Sequence, residues 1–289
     1  MSSRSRGRAL LGAVALLLVV TPAAACAGSA DPVATGPSAS VDPTVRIEYS
    51  PGLTEDLYLP RTKGRVPLVV MVPGGSWTTA DPAGFAGLAG HLAGAGVAAA
   101  TAHIRAAEDG VRYPVPLEDV LCAVAAAAAK TRARGFTPGP VTVLGHSSGA
   151  HLAALAVLAV DDYAPTCTSP PVRPDALVGL SGPYDISQLP DLASALLGTG
   201  PDEDPATWEA ANPVHRADLR PDVPVLLLHG EDDTTVPVAF TEQFASALEE
   251  AGHPTTVQVV PGADHLGIFQ ADASGDRIAR WVLALPSPG

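Results

Sequence analysis

Positive charge is scarce in this sequence. Seventeen lysines and arginines stand against 30 aspartates and glutamates, a net charge of −13. Nucleic acids are held by neutralising their phosphates, so this balance argues against a nucleic-acid partner. It also disfavours a highly anionic substrate unless the pocket is locally basic. Aromatic residues make up only 4 %, and alanine supplies much of the 47 % hydrophobic content. Cysteine is limited to three residues, with no CxxC pair and no histidine pair at zinc spacing, so no metal site is expected. No apolar run approaches the roughly 20 residues that a spanning helix needs. No internal repeat is present.

The longest apolar run near the start, Leu10 to Val20, follows Arg4, Arg6 and Arg8 and precedes Ala23-Ala24-Ala25-Cys26. A basic segment, a short apolar core and small residues predict a secretory signal peptide over residues 1–25 and an exported protein. Cys26 after the small residues resembles a bacterial lipobox, which implies a lipidated Cys26 anchored to the cell membrane. Ala23 stands where leucine is usual, and ordinary cleavage at an A-x-A site, leaving Cys26 as a free thiol in a secreted protein, is the alternative. Residues 26–43 are rich in Pro, Ser, Ala and Gly and read as a flexible tether. Without the leader's three arginines, 14 cations face 30 acids, a net charge of −16. Cys122 and Cys167 then remain as a pair that can form a disulfide in an oxidising compartment; two buried thiols are the alternative.

From residue 44 to 289, apolar runs alternate with helical stretches. This predicts one α/β domain, a mostly parallel central sheet with helices on both faces. Strands are expected at 44–49, 56–59, 67–72, 97–103, 141–145, 175–181, 223–228 and 255–260. Helices are expected near 82–95, 116–134, 147–160, 237–251 and 272–284. The loop-rich segment 187–220, with one short helix at 206–211, reads as a modest cap over an open cleft.

The most informative segment is Gly145-His146-Ser147-Ser148-Gly149, a G-x-S-x-G between the run Val141–Leu144 and an alanine-rich helix. Strand, sharp turn and helix expose the Ser147 hydroxyl and aim the Ser148 N–H at the same point. A serine needs a base, and the base needs an acid to orient it. Both follow, each just past a strand: Asp233 in HGEDDTTVP and His265 in GADHLGIF. The order Ser147, Asp233, His265 suits a nucleophile elbow on an α/β sheet.

These motifs resemble those of the α/β-hydrolase superfamily. HGEDDTTVP is similar to the H-G-x-x-D-x-x-V-P segment of esterase and prolyl-oligopeptidase-like members, which assigns the acid to Asp233, not Asp232. GHSSGAHLAAL is similar to the elbow of small carboxylesterases related to feruloyl and acetylxylan esterases. The resemblance covers residue 44 to the end. It implies an α/β-hydrolase fold with a short cap and catalytic residues Ser147, Asp233 and His265. It also implies an oxyanion hole from the N–H groups of Ser148, Gly75 and Ser76. Pro73 stands where the family's loop has histidine, which leaves the backbone donors in place but changes the loop's shape.

The implied chemistry is hydrolysis of short-chain carboxylic esters through an acyl-enzyme, with no metal or organic cofactor. The substrate is a small or polymer-borne ester. Alternatives are a prolyl-oligopeptidase-like peptidase or amidase, a kynurenine-formamidase-like amidase, and an inactive hydrolase-fold binding protein. The sequence assigns no oligomeric state. His146 and His151 are read as structural residues, His229 as fixing the loop that carries the acid, and Asp232 and Asp264 as rival acids. Trp77 either lines the cleft or packs its loop. Tyr184 and Asp185 are read as structural.

Overall fold

The computed structural model describes residues 43–287. The expected leader, Cys26 and all of the tether except Pro43 lie outside the described residues. Eight strands form one sheet: β1 (Val45–Ser50), β2 (Leu53–Tyr58), β3 (Arg65–Val72), β4 (Ala98–Ala102), β5 (Thr137–His146), β6 (Ala176–Leu180), β7 (Val225–Gly230) and β8 (Thr255–Val260). The sheet order is β1-β2-β4-β3-β5-β6-β7-β8. β1, β2 and β4 pair antiparallel, and every pair from β4 through β3 to β8 is parallel.

Among the described residues there are seven α-helices, of which α4 and α5 belong to the cap and the others cover the two faces: α1 (Ala86–Gly94), α2 (Val115–Ala133), α3 (Ser148–Leu158), α4 (Pro190–Leu197), α5 (Pro205–Ala210), α6 (Ala239–Ala251) and α7 (Asp276–Leu283). Side chains alternate across a strand, so a sheet covered on both faces needs apolar residues at every position. β3 meets this with Leu68, Val70 and Val72 against α2 and α3, and Val69 and Met71 against α1. β7 repeats the pattern, with Val225 and Leu227 on one face and Leu226 and Leu228 on the other. Few aromatics are needed because α2 and α3 present Ala123, Ala127, Ala150, Ala153 and Ala154, all buried. Among the described residues no helix is long and apolar enough to cross a membrane.

The structure departs from the sequence reading in several places: β2 begins at Leu53 and not at 56, and residues 82–85 and 271–275 form a 3-10 and a π turn ahead of α1 and α7. Two further departures concern β5 and the cap. β5 begins at Thr137, earlier than expected, because Thr137 and Pro138 pair with Arg65 and Val66 across a register irregularity in β3. The cap carries an additional helix, α4, with Pro190 in its first turn, Gly198 in the left-handed region at its end, and Leu196 in the core. Proline at the start and glycine past the end mark a helix, but eight residues make a weak periodic signal.

Two polar features fasten the cap. The Asp185 carboxylate accepts bonds from Ser187, Gln188, Asn212 and Gln243. Burial opposes its ionisation, but these donors outweigh burial and hold it down to about 2. His151 on α3 is fully buried, accepts from Trp77 Nε1 at 3.2 Å and donates through Nε2 to the Ala211 carbonyl at 2.8 Å. Trp77 is therefore a buried packing residue that joins the loop after β3 to α3 and to the end of α5. Cys122 on α2 is disulfide-bonded to Cys167, beyond α3, with Cα atoms 5.2 Å apart.

The bridge closes a span of 45 residues. Replacing both cysteines by alanine is expected to lower the unfolding free energy by about 4 kcal/mol on loop-entropy grounds. Urea unfolding measures this, and an unchanged midpoint would mean that packing alone sets the geometry of this region. Burial lowers the His151 pKa to about 4, against its bond to Ala211. The unfolded chain therefore takes up a proton on this residue below about pH 6.5 while the folded chain resists until about pH 4. Stability should fall across that window, and fall less in His151→Gln; equal slopes for the two proteins would contradict the assignment.

Candidate active site

β5 ends at His146 and α3 begins at Ser148, so Ser147 alone makes the turn. Its backbone sits at φ 52°, ψ −127°, a region that L-residues rarely occupy. Close packing enforces it. A Cβ on residue 145 would lie 2.1 Å from the Gly149 carbonyl oxygen, and one on residue 149 would lie 2.3 Å from the Val72 oxygen. Only glycine fits either position. The Ser148 N–H is in the first helical turn, where no intrahelical acceptor exists and the helix dipole is positive.

β7 delivers Asp233 and β8 delivers His265. Asp233 Oδ1 accepts from the Thr235 and Val236 N–H groups, both at 2.9 Å. Its Oδ2 accepts from His265 Nδ1 at 2.8 Å. The aspartate side chain is fully buried and the imidazole is nearly so. Burial alone would raise the Asp233 pKa; the bonds from His265 and the loop N–H groups reverse this and keep it below the usual carboxylate range. An Nδ1–H committed to Asp233 leaves His265 Nε2 as the ring's free lone pair.

Two further histidines support this pair. His146 Nε2 donates to the His265 carbonyl at 2.7 Å, and the two rings lie 4.7 Å apart. Burial, aided by the nearby His265 charge, lowers its pKa to about 4, so it is neutral near pH 7. His229 donates through Nε2 to the Val236 carbonyl at 2.9 Å and accepts at Nδ1 from the Thr241 hydroxyl at 2.8 Å. It braces the loop that carries Asp233. The rival acids are placed elsewhere. Asp232 is exposed, and Asp264 accepts from the Gly267 N–H within its own turn.

The loop after β3 closes the site. Gly75, Ser76 and Trp77 all have positive φ, at 142°, 53° and 58°. The Gly75 carbonyl accepts from Thr78 and Thr79, which fixes the turn. Among the described residues, the N–H groups of Gly75 and Ser76 donate to no protein acceptor. Gly75 and Ser76 line a cleft of ≈ 340 Å³ together with Pro73, Ser147 and His265. No Ser147–His265 hydrogen bond is formed; such bonds often tighten only with substrate bound.

Phe85, Leu266 and Phe269 supply the cleft's apolar wall. The Phe269 ring lies 5.4 Å from Phe85 and 4.8 Å from His146. The sequence reading missed these three. The only available signal was Phe269's position four residues past His265. Among the described residues, no group of His, Cys, Asp or Glu gathers as a metal site.

Comparison with known proteins places this geometry. The chain is 28 % identical over 231 residues to esterase LipQ of Mycobacterium tuberculosis. It is 29 % identical over 234 residues to a probable isoprenylcysteine alpha-carbonyl methylesterase, ICME, of Oryza sativa subsp. japonica. Each match covers 75 % of this chain but only 54 % and 56 % of the respective relative, so the chain spans about half their length. Among solved structures, a truncated carbohydrate esterase from gut microbiota shares the fold. Its TM-score is 0.69 at 21 % identity, over 79 % of this chain and 89 % of that one. The elbow, the strand order and the paired Asp233 and His265 fall within an α/β-hydrolase frame, and the BD-FAE family profile matches residues 55–248: the chain belongs to the BD-FAE family.

Proposed function

We propose that this chain is an exported serine hydrolase that cleaves short-chain carboxylic esters. One observation carries the reading: His265, hydrogen-bonded from behind to Asp233, shares a cleft with Ser147 and with two undonated backbone N–H groups. Esterases among the relatives support the reaction class.

In the proposed mechanism Ser147 Oγ attacks the ester carbonyl carbon while His265 Nε2 takes the hydroxyl proton. The carbonyl oxygen gains the negative charge and receives hydrogen bonds from the N–H groups of Ser148, Gly75 and Ser76. Asp233 holds the ring's tautomer and stabilises the imidazolium. Collapse of the intermediate breaks the bond to the alcohol oxygen, which leaves with the proton from His265. Water, deprotonated by the same nitrogen, then releases the acid and restores Ser147. One oxyanion donor contributes about 10²–10³ in rate. The modest cleft and its Phe85–Phe269 wall favour a small acyl group.

Export rests on the leader at residues 1–25, with Cys26 as lipid anchor and residues 26–43 as tether to a catalytic domain at 44–289. The Cys122–Cys167 bond supports an oxidising compartment.

The test is kcat/KM on p-nitrophenyl esters of increasing acyl length, beside an aminoacyl p-nitroanilide. Acetyl and butyryl esters should turn over fastest and the anilide not at all. Ser147→Ala should cost roughly 10⁴–10⁶-fold, and Asp233→Asn about 10⁴-fold. Anilide turnover would point to a peptidase, and activity surviving Ser147→Ala would remove the assigned nucleophile.

A further inference from the structure

The opposite end of the molecule carries a concentration of charge that the site does not use. Arg61, Lys63 and Arg65 precede or begin β3, and all three are exposed. They line a groove of ≈ 710 Å³ whose other walls are Leu59, Pro60, Thr62 and the end of α1, with no carboxylate among its lining residues. Arg132 and Arg134, at the end of α2, are exposed beside it. Lys63 donates to the Arg134 carbonyl and lies over the Phe136 ring, and the Thr137 N–H donates to the Gly64 carbonyl, so the two segments are in contact. None of these five cations forms an ion pair among the described residues. In a chain with 30 acidic residues, that grouping calls for a function.

The start of the fold is at the same end. The Leu59 N–H donates to the Thr44 hydroxyl at 3.0 Å, so the first described residues lie next to the groove. Sixteen residues lie between Cys26 and Pro43, a stretch that can reach at most roughly 60 Å when fully extended. β3 and β5 both run from the basic end to the cleft, a distance of roughly 25 Å for eight residues.

We propose that the basic end, Arg61, Lys63 and Arg65 with Arg132 and Arg134, docks on an anionic lipid surface. The proposal rests on the export and tether reading for its choice of partner. The net negative charge does not oppose it, because at physiological salt charges beyond about 8 Å are largely screened and the contacting patch dominates. A polybasic patch adds an electrostatic attraction to an anionic surface and selects which end of a tethered domain meets it. Docked this way, the sheet stands on the membrane with Ser147 at its far end, so the cleft opens away from the lipid.

The test uses the chain from Cys26 onward with Cys26→Ser, which retains every described residue and carries no lipid. It is sedimented with phosphatidylcholine vesicles with or without about 30 mol % phosphatidylglycerol. Binding should require the anionic lipid and weaken steeply as salt rises. Each cation removed should cost about five-fold, so Arg61→Gln/Lys63→Gln/Arg65→Gln should lose about 10²-fold and Arg132→Gln/Arg134→Gln somewhat less. Ester turnover in both variants should match the parent, which also reports that they fold. Equal binding to neutral vesicles, no binding to anionic ones, or full binding by the triple variant would each overturn the proposal. Retention on an acidic polysaccharide without vesicle binding would do the same and name a different partner. Vesicle binding without ester turnover would instead sink the hydrolase reading alone.

Discussion

Backbone touches backbone where α3 meets the end of β3. The Val72 and Pro73 carbonyl oxygens occupy the place that a Cβ on residue 149 would take. The same crowding recurs at Gly74, where a Cβ would approach the His146 oxygen and the Ser147 Cβ to 2.9 Å. These contacts leave the turn at Ser147 one shape. They also set the separation between the serine and the N–H groups of the loop after β3, since both hang from the same pair of strands. The strained φ of Ser147 persists because the parallel β3–β5 ladder surrounds it with atoms that cannot move aside. The site's precision comes from the sheet, and the side chains inherit it.

Around that frame, neutral histidines do the positioning. His146, His151 and His229 are all buried and held below their ordinary pKa, and each uses a ring nitrogen to grip a backbone carbonyl. A buried neutral imidazole offers one donor and one acceptor in a rigid plane, so it can join two segments without adding charge. His146 reaches the backbone of His265, His229 fixes the turn that carries Asp233, and His151 connects the cleft loop to the cap.

Much of this was legible in the sequence for one reason. In a parallel sheet the strands all end at the same face, so residues just past the apolar runs converge. Ser147, Asp233 and His265 each follow such a run, and the structure gathers Ser147 and His265 in one cleft with Asp233 bonded behind. What was not legible came from tertiary context. The expected strand starts at 141, after the prolines and glycine of residues 138–140, yet Thr137 and Pro138 already pair where β3 is irregular. The eight residues of α4 are too few for periodicity to stand out. The aromatic wall depends on how Phe85 and Phe269, remote in sequence, pack across the cleft.

The Cys122–Cys167 bond has a topological effect as well as an energetic one. It turns residues 122–167 into a covalent ring that contains all of β5, Ser147 and α3. Tension applied through the chain ends passes across the sulfur atoms and cannot draw that ring out. A single protease cut inside it leaves both fragments joined. The part of the molecule whose geometry tolerates the least displacement is therefore the part that neither pulling nor one nick can separate from the rest.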